Sequence, residues 1–252
     1  MMRETSETIL PFRHARGDGA IVFEPGALPQ TPEPGWFDPA RWGDAAQRVG
    51  NGGRGAAWFV QAPWGAMLLR RYLRGGWVAR FSRDGHVWRG ERVVRSFTEF
   101  HVLRALSARG LPVPAPLAAA YWREGRHYRA AILMERIMGV RTFGERVLAD
   151  PVAAPWGECG ALIARFHRAG VDHADLNAYN LLFDDADAGW MIDFDKARLR
   201  GDAEGGWRAA NLSRLKRSLH KLGGEALSVP IDAGFTRLRA AYDAAMAAGV
   251  AS

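Results

Sequence analysis

Cysteine occurs once and lysine only three times in 252 residues. The lone Cys159 excludes a disulfide framework and a cysteine-rich zinc site, and it suits a reducing compartment. It shares a helical stripe with Leu162, Ile163 and Phe166, which reads as a buried structural thiol rather than a nucleophile. No long apolar run opens the chain, so neither a signal peptide nor a membrane span is expected, and a cytoplasmic protein is. The phosphate loop G-x-x-x-x-G-K-[ST] is missing. The three lysines are Lys196, Lys216 and Lys221, so any cation needed earlier in the chain must be an arginine.

Hydrophobic residues make up 48% of the chain, enough for one substantial core or two small lobes. The net charge of +7 implies an anionic partner: a nucleotide, a nucleic acid or an anionic membrane surface. Between residues 70 and 95 eight arginines stand against Asp84 and Glu91. A solvated face is the default account of such a run, and its density also fits an anionic substrate or membrane.

The most informative stretch is 173–195. His173-Ala174-Asp175-Leu176 with Asn180 fits H-x-D-L-x-x-x-N, and Asp193 follows the apolar Trp190-Met191-Ile192. Leu181-Leu182-Phe183 and Trp190-Met191-Ile192 read as a hairpin around Asp184–Gly189. The stretch resembles the catalytic region of protein kinases, where an Asp orients the acceptor hydroxyl and an Asn and a second Asp hold Mg²⁺. By that resemblance Asp175 is the catalytic carboxylate and Asn180 and Asp193 are the metal ligands. His173 reads as a brace for the loop.

Upstream residues fit the same frame. Gly50-Asn51-Gly52-Gly53-Arg54-Gly55 lies between two potentially extended stretches, and Gly53, Arg54 and Gly55 are candidates to approach phosphate oxygens without Cβ interference. Ala66–Tyr72 reads as a strand, and aligning Met67-Leu68-Leu69-Arg70 on the kinase V-A-I-K pattern nominates Arg70 as the phosphate cation. Glu99 shares a helical stripe with Leu103 and Leu106 in a helix expected over 93–108, and a carboxylate on an apolar face needs a cationic partner. The expected pair is Arg70–Glu99. Pro112-Val113-Pro114 enforces an extended connector. Ala130–Glu135 reads as a buried strand entering a hinge at Glu135, whose backbone is a candidate for adenine.

Residues 1–48 are weakly patterned, with a short strand at Ile21-Val22-Phe23, a proline-rich loop over 25–39 and a short helix near 39–48. Tyr121–Arg129 reads as a polar hairpin turn. Helices are expected over 142–148, 155–168, 207–222 and 235–247. Leu212, Leu215, Leu219 and Leu222 gather on one side of the third, with Arg214, Arg217 and Lys221 opposite. That basic side is either a solvated face or a surface for anionic lipid. The short polar segment after Asp195 has no visible A-P-E element, and Ala174 stands where an Arg would sense an activation-loop phosphate. Both features favour a small-molecule or glycan acceptor over a protein.

Taken together, Leu69-Arg70-Arg71-Tyr72 with Arg74-Gly75-Gly76, Arg95–Phe100, Gly110–Pro114, His173–Asn177, Ile192–Lys196 and Trp207–Leu215 resemble the 3-deoxy-D-manno-octulosonic acid (Kdo) kinases of lipopolysaccharide core synthesis. The resemblance spans residues 50–222 and accommodates both the arginine in place of the strand lysine and Asp195 in place of glycine. It implies an α+β, bilobal protein-kinase-like fold. The N-terminal lobe, 1–135, would hold an antiparallel sheet and a C-helix; the C-terminal lobe, 136–252, would be mainly helical. It further implies ATP and Mg²⁺, a Kdo hydroxyl (position 4) on Kdo-lipid A as acceptor, and a peripheral place at the cytoplasmic face of the inner membrane. A heptose or aminoglycoside-type kinase and an inactive kinase-like binding module stand as alternatives. A nucleic-acid binder has no recognised motif here.

Overall fold

The computed structural model describes residues 7–49, 56–72, 85–201 and 206–248. The chain divides into two compact units, Met1–Ala105 with Pro114–Arg136, and Leu106–Val113 with Ile137–Ser252.

The first unit is built on an antiparallel sheet. Its strands are β1 (Thr8–His14), β2 (Gly17–Phe23), β3 (Ala46–Arg48), β4 (Ala56–Ala62), β5 (Gly65–Arg71), β6 (His86–Val87), β7 (Pro116–Glu124) and β8 (His127–Glu135). The order is β1-β2-β7-β8-β5-β4-β3, with β6 on β8. Side chains alternate across a strand, and both faces are covered. Met67 and Leu69 of β5, Ala118 and Ala120 of β7, and Ala131 and Leu133 of β8 pack with Leu28, Trp36 and Phe37. Helix α1 (Arg95–Ala108) belongs to the opposite face, where the Ser96 hydroxyl donates to the Ala120 carbonyl at 2.9 Å and Phe97 meets Tyr121 edge-on.

Three details differ from the sequence reading. The N-terminal segment is no loose extension: β1 and β2 form a hairpin, and β2 pairs with β7 from Asp18↔Arg123 to Phe23↔Ala118. The strand expected at Ile21-Val22-Phe23 begins four residues earlier, where glycines hid it, yet they are what the pairing needs. A Cβ at Gly17 would lie 2.1 Å from the Arg123 carbonyl oxygen and one at Gly19 would lie 2.3 Å from that of Tyr121. The helix expected near 39–48 is 3₁₀ over Pro39–Ala45, broken at Gly43, and runs into β3. The polar turn expected over 121–129 narrows to the residues between Glu124 and His127, with Gly125 at φ +58°; Tyr121 and Tyr128 sit buried in the strands.

The second unit is mainly helical. It contains β9 (Arg141–Thr142), α2 (Phe143–Ala149), α3 (Trp156–Arg168), β10 (Val171–Asp172), β11 (Leu181–Phe183), β12 (Gly189–Met191), β13 (Arg198–Leu199), α4 (Trp207–Gly223) and α5 (Ser228–Ala248). Thr142 caps α2 through a capping box with Glu145. Helix α3 buries Cys159, Leu162, Ile163 and Phe166, and burial pushes the Cys159 thiol pKa well up, so the sulfur is inert packing. Gly160 lets α3 meet α5, since a Cβ there would stand 2.2 Å from the Leu238 carbonyl oxygen. Helix α4 turns Trp207, Asn211, Leu212, Leu215 and Leu219 inward. Among the described residues no helix is long and apolar enough to cross a membrane. The architecture is the α+β, two-unit kinase-like arrangement expected from the sequence: an antiparallel sheet with one α-helix among the described residues, and a mainly helical unit.

Candidate active site

In the first unit, β5 and α1 bring three polar side chains together under the sheet. Alternation along β5 sends Arg70 and Tyr72 toward α1, where both reach Glu99 Oε2. Glu99 is 1% exposed and Arg70 19%. Such burial is tolerable only because the carboxylate receives a charged donor and a hydroxyl donor together. Burial, followed by the neighbouring Glu99 charge, raises the Tyr72 pKa well above its ordinary value, so the hydroxyl stays protonated and donating. The Arg70 guanidinium also lies 5.0 Å from the Tyr72 ring centroid. Arg71 points to the other face, donating to the Phe37 carbonyl at 3.1–3.2 Å and to Asp38 at 3.1 Å, with Trp58 beneath it. The structure thus distinguishes the adjacent arginines: Arg70 meets the helix carboxylate and Arg71 buttresses the 3₁₀ turn at Pro34–Phe37.

At the end of β8 the Glu135 N–H donates to the Ala115 carbonyl at 2.8 Å and the Arg136 N–H to that of Ala66 at 3.0 Å. Any donor from this stretch to a base therefore begins at Ile137. The candidates Gly53, Arg54 and Gly55 lie outside the described residues.

In the second unit, residues 172–180 form a loop held from several sides. The Asp175 carbonyl accepts from Asn177 Nδ2 at 2.9 Å and Asn180 Nδ2 at 3.0 Å. A carbonyl can only accept, so this bond fixes the Asn180 amide with its nitrogen toward the loop and its Oδ1 away from it. The Ile192 N–H donates to the Asn180 carbonyl at 3.0 Å, which sets Asn180 beside the approach to Asp193. Asp193 has φ +67°, a left-handed conformation uncommon for a residue with a side chain and frequent at functional turns. Phe194 is buried against Phe166 and His173.

His173 Nε2 lies 2.9 Å from the Ile192 carbonyl oxygen and donates to it. Burial pushes the His173 pKa down, so the imidazole is neutral and acts as a brace. Beneath the loop, Leu176 and Ala178 are fully buried, the Ser218 hydroxyl receives the Ala178 N–H at 3.2 Å, and the Gly144 N–H donates to the Ala178 carbonyl. Asp175 keeps a carboxylate that is about half exposed, and Lys196 Nζ stands 3.6 Å from its Oδ2.

The sequence reading passed over the support of this loop. Buried Asp172 accepts from Arg200 Nε at 3.0 Å and Asn211 Nδ2 at 2.8 Å, and pairs with Arg200 Nη2 at 3.0 Å. Strands β10 and β13 pair in the register Val171↔Leu199 and Asp172↔Arg198. An Asp preceding the motif on a two-residue strand gives no periodic signal, so only its burial exposes it.

Residues 39–242 match the Lipopolysaccharide kinase (Kdo/WaaP) family. A protein of Stenotrophomonas maltophilia (strain K279a) named 3-deoxy-D-manno-octulosonic acid kinase is 54% identical over 242 residues, 96% of either chain. Proteins of that name from Xanthomonas campestris pv. campestris (strain B100) and Xanthomonas oryzae pv. oryzae (strain PXO99A) are each 51% identical over 246 residues, 98% of either chain. With a family match across most of the chain and relatives above half identity over nearly its full length, the chain belongs to the lipopolysaccharide kinase (Kdo/WaaP) family.

Proposed function

We propose that this protein is an ATP-dependent phosphotransferase that phosphorylates a Kdo hydroxyl, at position 4 of the sugar, on Kdo-lipid A in lipopolysaccharide core synthesis. The observation that carries the reading is the double use of the Asp175 carbonyl. By taking both amide groups, of Asn177 and Asn180, it anchors the loop while leaving the Asp175 carboxylate half exposed and the Asn180 Oδ1 out of that bond. The full-length similarity to proteins named Kdo kinases supports the choice of acceptor.

Asp175 accepts the hydrogen bond of the acceptor hydroxyl and aims its oxygen at the γ-phosphorus. Asn180 and Asp193 offer two oxygen ligands, the modest share that Mg²⁺ ordinarily takes from protein while sharing phosphate oxygens and keeping water. When bound, Mg²⁺ supplies charge neutralisation along the phosphates. Arg70, oriented by Glu99 and Tyr72, holds phosphate, with Gly53, Arg54 and Gly55 as the backbone cradle and the stretch after Glu135 as the adenine contact. In this reading 1–135 and 136–252 act as two lobes of one kinase-like domain. Kdo bears a carboxylate and lipid A bears phosphates, so the excess of arginine suits the acceptor. The exposed Arg217 and Lys221 of α4 are the surface we assign to anionic lipid, at the cytoplasmic face of the inner membrane.

The test is transfer of labelled phosphate from ATP, with and without Mg²⁺, to Kdo-lipid A, a heptosylated acceptor and an aminoglycoside, followed by NMR location of the new ester. Label on Kdo alone supports the reading. Label on heptose or aminoglycoside with none on Kdo refutes it.

A further inference from the structure

We infer that Lys196 is a second catalytic residue, a cation that contacts the transferring phosphoryl group from the side of Asp175. This rests on the phosphotransferase reading above and adds a residue to it.

Lys196 Nζ lies 3.6 Å from Asp175 Oδ2, close enough for charge attraction and longer than a hydrogen bond. No other ion pair and no hydrogen bond engages this ammonium among the described residues, so its three donors are unspent. Arg200, in the same segment, is committed to Asp172. The position of Lys196 is built into the fold. The antiparallel register Val171↔Leu199 and Asp172↔Arg198, carried onward, runs residue 196 alongside Ala174, next to Asp175. The contacts of Arg200 Nε and Nη2 with Asp172 pin the same segment four residues further on.

The chemistry requires a positive charge there. In the reaction the acceptor oxygen forms a bond to the γ-phosphorus and the bond from that phosphorus to the β-bridging oxygen breaks. ADP leaves with the electron pair, and the hydroxyl proton passes to the Asp175 carboxylate. A carboxylate and an anionic phosphoryl group must therefore approach one oxygen atom together, at a mutual repulsion that an ammonium between them offsets. A hydroxyl about 2.7 Å from Asp175 and about 3–3.5 Å from phosphorus puts the phosphoryl oxygens roughly 4–6 Å from the carboxylate, within the swing of a lysine already beside it. Lysine suits this better than arginine, being a compact point charge on a flexible stem and not a planar fork. In a chain with three lysines, one of them stands at the catalytic carboxylate.

The experiment compares wild type, Lys196→Met and Lys196→Arg for phosphate transfer from ATP to Kdo-lipid A, with kcat and both KM values resolved. Loss of one preorganised charge at the transition state predicts a fall in kcat of about 100-fold or more for Lys196→Met, KM for ATP within about threefold, and at least a tenfold recovery in Lys196→Arg. Unchanged thermal unfolding and ATP binding exclude a folding defect, and if the methionine variant does not fold, Lys196→Gln replaces it. Turnover by the uncharged variant within about twofold of wild type overturns the inference and leaves Lys196 a solvated surface lysine. A loss confined to KM for the glycolipid also overturns it, making the residue an acceptor-recruiting charge. A wild-type protein that transfers nothing while binding ATP refutes the phosphotransferase reading itself, and this inference with it.

Discussion

Glu99 gives the sharpest test of the first unit. Its carboxylate is 1% exposed and serves Arg70 and Tyr72 together, so Glu99→Ala removes the charged acceptor from a guanidinium that is itself only 19% exposed. Removing one partner of a buried pair costs about 3–5 kcal/mol. Water can still reach part of Arg70, which places the cost near the lower end, about 3 kcal/mol. At about 2–4 °C per kcal/mol for a chain of this size, the melting temperature should fall by roughly 6–12 °C. Glu99→Gln keeps the shape and one acceptor and should lose about half as much. The decisive variant replaces all three side chains: Arg70→Met, Tyr72→Phe and Glu99→Leu together. A buried ionic group exchanged for apolar side chains of similar volume is near neutral or better, so this variant should unfold within a few degrees of wild type while its phosphate transfer is abolished. Thermal unfolding by far-UV circular dichroism and transfer assays on the same samples supply both numbers. If Glu99→Ala melts within about 2 °C of wild type, or the triple variant is less stable than the single one, the buried-charge account is wrong.

Asp175→Ala should abolish phosphate transfer while ATP affinity, measured by calorimetry, changes by no more than a few fold, since its carbonyl remains to anchor Asn180; wild-type turnover would remove the central assignment. Gly160→Ala should destabilise the second unit by about 1–3 kcal/mol, because the new methyl meets the Leu238 carbonyl at 2.2 Å and must push α5 away; an unchanged urea midpoint would contradict this contact. His167, hydrogen-bonded to the Tyr242 hydroxyl at 2.8 Å, has its pKa held down to about 3 by burial, with Arg208 adding to the effect. The unfolded chain therefore takes up this proton first, near pH 6.5. The contribution is complete above that pH and is lost as pH falls toward 3, about 2 kcal/mol by pH 5. His173 pulls in the same direction. Urea unfolding at pH 7 and pH 5 should show that loss in wild type and a smaller one in His167→Gln; equal losses would refute the assignment.

The elements legible in the sequence were those where local pattern and chemistry agree. The stripe of Cys159, Leu162, Ile163 and Phe166 marks α3, and the pairing of Arg70 with Glu99 follows from a carboxylate on an apolar helix face and from the kinase strand pattern, which singles out Arg70 from its neighbour Arg71. The Asn180 and Asp193 positions are recognisable because a short hairpin, β11 and β12, separates them. What stayed hidden depends on partners distant in sequence. Strand β1 carries Pro11 and the first half of β2 carries two glycines, so only Ile21-Val22-Phe23 shows a strand signature before β7 lies alongside. The reach of α5 back to Ser228 was obscured by Pro230, which is harmless in a first turn where its missing N–H has no partner to lose. Asn211 and Ser218 carry no periodic signal of their own on α4; burial of the first and the Ala178 bond of the second show that they carry the loop.

The hidden cluster around Asp172 also accounts for a feature that the sequence offered only as an absence. Ala174 leaves the loop without a cation to grip a phosphate downstream, yet the segment after Asp193 is tied in place. Its anchor is the reverse arrangement: the anion, Asp172, belongs to the loop, and the cation, Arg200, belongs to the segment, with Asn211 of α4 saturating the other carboxylate oxygen. An ion pair whose two members are ordinary side chains forms on folding and needs no modification to complete it. Burial of Asp172 makes the bond costly to break, since a lone carboxylate at that position would be stranded from water. The same strand pairing that Arg200 secures aligns Lys196 with Asp175. The stability of the loop and the placing of Lys196 beside Asp175 thus trace to one buried carboxylate.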